Sequence, residues 1–150
     1  MAEIRPATAD DIPEIVALGA RAHAESPRYS QYTYAPARVE ATAAALLGVP
    51  WGIVLIARTE ALVGMFAGMV TPHGWCEASM ATDAVVFVEP GHRGGLVFSR
   101  LLLAFERRAA ELGADEVALG LSSGTRVDGV LQVYQRAGYE LCGHQLRKRL

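Results

Sequence analysis

Residues 86–95 read Val86-Phe87-Val88-Glu89-Pro90-Gly91-His92-Arg93-Gly94-Gly95. An apolar run stops at a proline, which cannot donate to a strand ladder, and a glycine-rich turn follows. From Leu96 to Leu112 the apolar residues Val97, Leu101, Phe105, Ala109 and Leu112 recur at helical spacing, and Gly113 supplies the stop. A strand, a glycine turn and a helix N-terminus together make an anion site. The first helical N–H groups have no partner within the helix, and the helix dipole favours negative charge there. Arg93 adds a full positive charge to such a cradle. A P-loop is excluded, because no Lys-Ser or Lys-Thr closes the turn. A dinucleotide fingerprint is excluded too, since the acids Asp115 and Glu116 open the following strand rather than close it. By itself the turn reads equally well as a glycine-rich connection that binds nothing.

Working outward, Glu77 to Val88 reads as a long strand. Two more precede it, Gly52 to Ala57 and Leu62 to Val70, joined by a turn at Arg58-Thr59-Glu60-Ala61. Gly64 and Gly68 within the second predict a bulge or a close backbone approach. Upstream, a short strand Glu3 to Arg5 ends at Pro6. Thr8 with Asp11 resembles a capping box, ahead of a helix carrying Ile12, Ile15, Val16 and Gly19 on one face. A second helix starts at Pro36, turns Val39, Ala43, Leu46 and Leu47 inward, and stops at Gly48-Val49-Pro50. Downstream, a strand Glu116 to Leu121 leads to a helix with Val127, Val130, Leu131 and Tyr134 on one face. Gly138 ends that helix, and Tyr139 to Arg149 reads as a last strand. The order β-α-α-β-β-β-α-β-α-β predicts an α/β (α+β) fold: an antiparallel meander, then a right-handed βαβ crossover, about six strands in all.

Length and composition bound the function. With 150 residues, 51% of them hydrophobic, one domain spanning 1–150 is expected. The net charge of -2 and the scattered basic residues give no support for nucleic-acid binding. No apolar run approaches the roughly 20 residues of a membrane span, and Met1 to Pro6 lacks the regions of a signal peptide, so a cytoplasmic protein is expected. Cys76 and Cys142 lack metal-ligand spacing and read as reduced, half-buried thiols; a disulfide between them is conceivable but nothing supports it. His23, His73, His92 and His144 form no paired motif, so no metal is expected. Abundant Ala, Arg and Gly suggest a GC-rich bacterial or phage genome.

Three stretches together resemble the GNAT superfamily of N-acetyltransferases. Residues 86–95 resemble its coenzyme A pyrophosphate motif, in which a strand ending Val-x-Pro precedes Arg-Gly-x-Gly-x-Gly or Ala. Ile4-Arg5-Pro6-Ala7-Thr8 with Asp10-Asp11 is similar to the family's opening. Val133-Tyr134-Gln135-Arg136-Ala137-Gly138-Tyr139 is similar to its Leu-Tyr-x-x-x-Gly-Phe/Tyr ending. The resemblance spans nearly the whole chain and implies a mixed, mostly antiparallel sheet with helices on both faces. It implies acetyl-CoA as co-substrate, no metal, and a homodimer. It assigns coenzyme A contacts to Val86, Phe87 and Val88 on the strand and to His92, Arg93, Gly94, Gly95, Leu96, Val97 and Phe98 at the turn. Tyr134 matches the tyrosine that protonates the leaving thiolate. The chain departs from the pattern at Leu96 and Phe98, where glycine or alanine is usual, and at Val127, where asparagine is frequent. The C-terminus is short where most members have a hairpin. The form Arg-Gly-Gly with Arg100 is similar to GNAT-like proteins of phages and prophages.

The chemistry this implies is transfer of an acyl group from a thioester directly to a primary amine, since no cysteine or serine is placed with a base. The acceptor, a small molecule or a protein amine, is left open. A phenol such as Tyr134 can donate a proton at neutral pH, although helical spacing also suits a core tyrosine. Asp83, Glu77 and His73 are the candidate bases on or before the central strand, and each also reads as a solvent-facing strand residue; water can serve instead. Tyr29, Tyr32 and Tyr34 lie where this family builds its acceptor wall, and equally suit packing or an oligomer contact. The alternative function is a non-catalytic acyl-CoA-binding or regulatory domain.

Overall fold

The computed structural model describes residues 1–150. Strand β1 (Glu3–Pro6) is followed by α1 (Ile12–Glu25), α2 (Pro36–Gly48), β2 (Gly52–Arg58), β3 (Leu62–Pro72), β4 (Ser79–Val88), α3 (Val97–Glu111), β5 (Glu116–Ala118) and α4 (Val127–Arg136). The five strands form one sheet in sequence order, antiparallel up to β4, with β5 parallel to β4.

Strands β2 and β3 are apolar almost throughout because both faces of the sheet are covered. Ile53, Leu55, Ala57, Val63 and Phe66 join the core under α3, while Val54, Ile56, Met65 and Ala67 join the core under α1 and α2. Alternate residues thus serve opposite cores, which erases the polar alternation of a half-exposed strand. On the α3 side, Phe66 and Phe105 stack with centroids 4.3 Å apart. The capping pair forms at the start of α1, where buried Asp11 accepts from the Thr8 N–H at 2.8 Å and from Arg5 through both oxygens at 2.8 Å.

The register of β3 with β4 slips between Ala67↔Val85 and Gly68↔Asp83, leaving Ala84 as the extra residue of a bulge. Gly68 sits at this slip for a steric reason. A Cβ there would lie 2.0 Å from the Thr82 carbonyl oxygen and 2.9 Å from the Phe105 ring. Bulges bend a strand and increase its twist, and β5 follows β4 only from Met80↔Glu116 to Thr82↔Ala118. Beyond that point the two strands part, so β5 stops at Ala118 rather than at Leu121.

Three further expectations are corrected. Residues 140–150 form no strand and make no hydrogen bond with the rest of the chain, so the sheet has five strands and not about six. A lone segment has only the three-residue β5 edge to pair with, too short a ladder to hold it. Strand β4 begins at Ser79 rather than Glu77, because the His73 N–H bonds the Ala78 carbonyl at 2.7 Å and closes a loop there. Cys76 and Cys142 are both exposed rather than half-buried. No helix is long and apolar enough to cross a membrane.

Substituting Gly68→Ala forces the bulge or Phe105 to move and should cost about 2 kcal/mol, lowering the thermal midpoint by about 6 °C. Gly95→Ala, where a Cβ meets nothing within 4 Å, should leave the midpoint unchanged. Thermal unfolding of the two variants side by side checks both.

Candidate active site

Where β4 and β5 part, the Asp83 carboxylate accepts the Gly120 N–H at 2.8 Å. Past this point β4 has β3 on one side and no strand on the other, so Val85 to Val88 present an unpaired edge to the cleft. Tyr134 reaches the same place from α4. It is buried, with its ring 5.5 Å from Phe98 and 5.4 Å from Tyr139 between centroids. Its hydroxyl has no hydrogen-bond partner within the chain, and burial, with the Asp83 charge adding to it, holds the phenol well above its ordinary range. Burial also raises the Asp83 carboxyl above the usual carboxylate value, against the opposing pull of the Gly120 N–H. The two groups form a buried acid and a reluctant carboxylate facing one cleft.

The glycine turn follows directly on the free edge of β4, after Val88. Gly94 adopts φ +79°, a left-handed conformation that favours glycine. None of the six N–H groups from Gly94 to Ser99 finds an acceptor within the chain; the first helical bond is from Arg100 to the Leu96 carbonyl. Helix α3 has no side-chain cap and no acid in its first turn. An anion is therefore the fitting partner for this end. Leu96 is exposed and Phe98 turns away to pack on Tyr134, so neither blocks the turn. A cleft of about 500 Å³ borders it, lined by His92, Gly95, Leu96, Val97 and Arg100 with Ala2. Arg100 is tethered there by a 2.6 Å bond to the Ala2 carbonyl.

Arg93 does something other than the sequence suggests. Its Nε donates to the Val88 carbonyl at 2.8 Å, and its two Nη atoms grip both oxygens of Glu25 on α1 at 2.6 and 2.7 Å. The guanidinium also lies over the Phe87 ring, 5.4 Å from the centroid. Its charge is therefore committed to Glu25 rather than offered to a phosphate, and Arg93 acts as a clamp between the turn and α1. A second pair, Arg21 with Glu89, ties the same two segments. Glu25 was not legible as a site residue, because a glutamate at the end of a helix carries no signal of a partner 68 positions away.

The tyrosines divide. Tyr34 donates to the Val16 carbonyl at 2.7 Å and packs beside Gly19 and His23, so it fastens α1 to the segment before α2 instead of facing an acceptor. Tyr29 is part-exposed and shares a 3.1 Å hydrogen bond with the Ser122 hydroxyl; Tyr32 is exposed with Arg149 over its ring. The stretch between α1 and α2 crosses to the loop after β5. Ser26 Oγ donates to the Ser123 carbonyl at 2.5 Å, and Arg28 Nη1 to the Ser122 carbonyl at 3.1 Å. These three serines and Arg28 carried no signal in the sequence. Glu77 and His73 do not join the site. Both lie in the loop before β4, and Glu77 is exposed, six positions and about 20 Å of extended chain from Asp83.

No protein-family model matches the chain, and no curated protein matches it by sequence. Solved structures do match its fold. A transcriptional regulator from Bacillus halodurans C-125 superposes with a TM-score of 0.81 at 22% identity, covering 100% of both chains. AAC(6')-Iy, in complex with the bisubstrate analogue CoA-S-monomethyl-acetylneamine, gives 0.80 at 18% identity over 100% of this chain and 98% of that one. A ribosomal-protein-alanine N-acetyltransferase from Brucella melitensis biovar Abortus 2308 gives 0.72 at 18% identity over 100% and 99%. The fold is the GNAT fold. The layout that the resemblance implied is thus present, a mixed sheet with helices on both faces. What the GNAT frame lacks here is structure after Tyr139.

The Glu25–Arg93 clamp is testable by pH. Arg93, with Arg126 adding to it, holds the Glu25 carboxyl below its ordinary value. A depressed carboxylate stabilises the fold fully above its unfolded pKa, and that contribution is lost as pH falls through the folded value. Glu25→Gln should cost about 1 kcal/mol at pH 7, and its deficit against wild type should close below about pH 4. Urea titrations of both proteins at a series of pH values measure the gap.

Proposed function

We propose that the chain is a GNAT-superfamily N-acyltransferase that moves an acetyl group from acetyl-CoA directly to a primary amine. The observation that carries this reading is the run of unbonded N–H groups from Gly94 to Ser99, which follows the unpaired edge of β4 that begins where Asp83 takes the Gly120 N–H. The residues present fit the co-substrate. The N–H run and the α3 dipole suit a pyrophosphate, and the free β4 edge around Val86 and Val88 suits the amide-rich pantetheine arm, as an added strand would.

Acyl transfer then asks three things of the chain. Backbone N–H groups of the β4 edge near Val86 polarise the thioester carbonyl as its oxygen gains charge. Asp83 takes a proton from the incoming amine, directly or through water, so that nitrogen can bond to the carbonyl carbon. As the carbon–sulfur bond breaks, Tyr134 gives its proton to the departing thiolate, and solvent returns one to the phenol. Burial keeps Tyr134 protonated before the step and makes it a weaker acid, so its proton moves as the carbon–sulfur bond breaks and not before. Tyr29 and the loops joined at Ser26 and Ser123 form the acceptor wall, with the amine's remaining structure lying against them.

A second reading, a CoA-binding regulatory domain without turnover, is favoured by the likeness to the transcriptional regulator from Bacillus halodurans C-125. Calorimetry with acetyl-CoA comes first, and no binding at high micromolar concentration sinks both readings. A free-thiol assay over a panel of amines then separates them. Tyr134→Phe should lower turnover about a hundredfold while leaving acetyl-CoA affinity unchanged. A rate untouched by that change removes Tyr134 from the chemistry.

A further inference from the structure

The two loops that meet beyond β5 carry charge of one sign. Residues 26–35 and 117–127 contain no Asp or Glu, although the whole chain has 16 acids against 14 Lys and Arg. Each loop contributes an arginine, Arg28 and Arg126. The C-terminal segment adds a third, since Arg149 lies over the Tyr32 ring, 5.6 Å from its centroid. The nearby acids are already engaged. Both Nη atoms of Arg93 grip Glu25, and Asp128 stands in the first turn of α4, where the helix dipole holds it.

Arg126 is the one residue other than glycine at positive φ, with φ 47° and ψ 43°. An L side chain there costs backbone energy that glycine avoids. The side chain gives little back to the fold. It is exposed, and its guanidinium makes no hydrogen bond or ion pair within the chain. Arg28 is half committed. Its Nη1 donates to the Ser122 carbonyl at 3.1 Å, and its guanidinium lies over the Tyr29 ring, 5.1 Å from the centroid. Those contacts fix its plane. They leave Nε and Nη2 without a partner, the edge that takes a carboxylate side-on through two parallel bonds.

We infer that the acceptor is a small amine that also carries a carboxylate, held by Arg28 and Arg126 while its amine meets Asp83. The fate of the amine rests on the acyltransfer reading; the anionic subsite stands on the two arginines alone. Spacing agrees. Asp83 bonds the Gly120 N–H, and Arg28 bonds the Ser122 carbonyl, two residues or about 7 Å of extended chain further on. An amine and a carboxylate a few carbons apart span that interval. A polycationic amine meets like charge at the same loops, which disfavours it.

Four amines of similar length separate the charges: 4-aminobutyrate, its amide, 3-aminopropyl phosphate and putrescine. With acetyl-CoA and a free-thiol readout, kcat/KM should be about tenfold or more higher for 4-aminobutyrate than for its amide, and lowest for putrescine. Arg28→Gln and Arg126→Gln together should abolish that ratio. Arg107→Gln, the same charge change at an exposed position of α3, should preserve it. Calorimetry with N-acetyl-4-aminobutyrate and its amide reads the subsite without turnover, and the acid should bind about tenfold tighter. Arg126→Gly should weaken that binding without lowering the thermal midpoint, since glycine takes the positive φ freely; a merely structural arginine predicts the reverse. Equal use of acid and amide, a preference for putrescine or the phosphate, or a preference that survives both substitutions overturns the proposal. So does failure of the acid to bind, whether or not the chain turns over. Binding of the acid through these arginines with no amine acetylated upholds the subsite and removes the acyltransfer reading instead.

Discussion

The parting of β4 from β5 is the constraint on which the rest of the molecule depends. Ten residues of β4 run beside a β5 that pairs with only three of them. Two neighbouring parallel strands would ordinarily stay together, because an unpaired edge leaves backbone groups unsatisfied. Here the bulge at Ala84 bends β4 off course, and the missing Cβ at Gly68 lets the strands cross closely enough to permit it. Asp83 then takes over the Gly120 N–H that the ladder drops. One side chain thus both ends the pairing and begins the cleft, and its cost in desolvation appears as a raised carboxyl pKa.

The turn at 90–96 works only if it is held, since its own backbone makes few bonds. Its fastening comes from α1, through Glu25 with Arg93 and Arg21 with Glu89. Both pairs leave the N–H groups of Gly94 to Ser99 facing outward. The arrangement separates two jobs that the sequence alone merges. The arginine of the motif fixes where the turn sits, and the main chain is left with the free N–H groups.

Much of this was legible beforehand. Helical and strand periodicity placed nine elements close to their observed ends, and the glycine turn was expected at the start of the helix that it does precede. The capping pair Thr8 and Asp11 was readable because its partners lie three residues apart. What sequence reasoning missed is long-range pairing. Glu25, Ser26, Arg28 and Ser123 gain their roles from partners far along the chain, and no local pattern marks them. Tyr34 and Glu77 fail as site residues for the same reason in reverse. One is turned inward by a carbonyl on α1, and the other is placed in a loop by a hydrogen bond between His73 and Ala78. The final strand failed because alternation and β-propensity describe a segment's capacity to pair, and pairing also needs a neighbour.

The loops that wall the cleft are joined through main-chain acceptors. Ser26 and Arg28 bond the carbonyls of Ser123 and Ser122, and the backbone N–H of Arg28 bonds Ser123 again. Carbonyl groups are the same whatever residue bears them. The side chains at 122 and 123 can therefore be exchanged with the loss of one bond between the loops, that of Ser122 to the Tyr29 hydroxyl, and most of the grip stays with residues 26 and 28 on the opposite loop. A scaffold wired in this way can change the shape of the cleft wall by drift in one loop while the other keeps the door frame square.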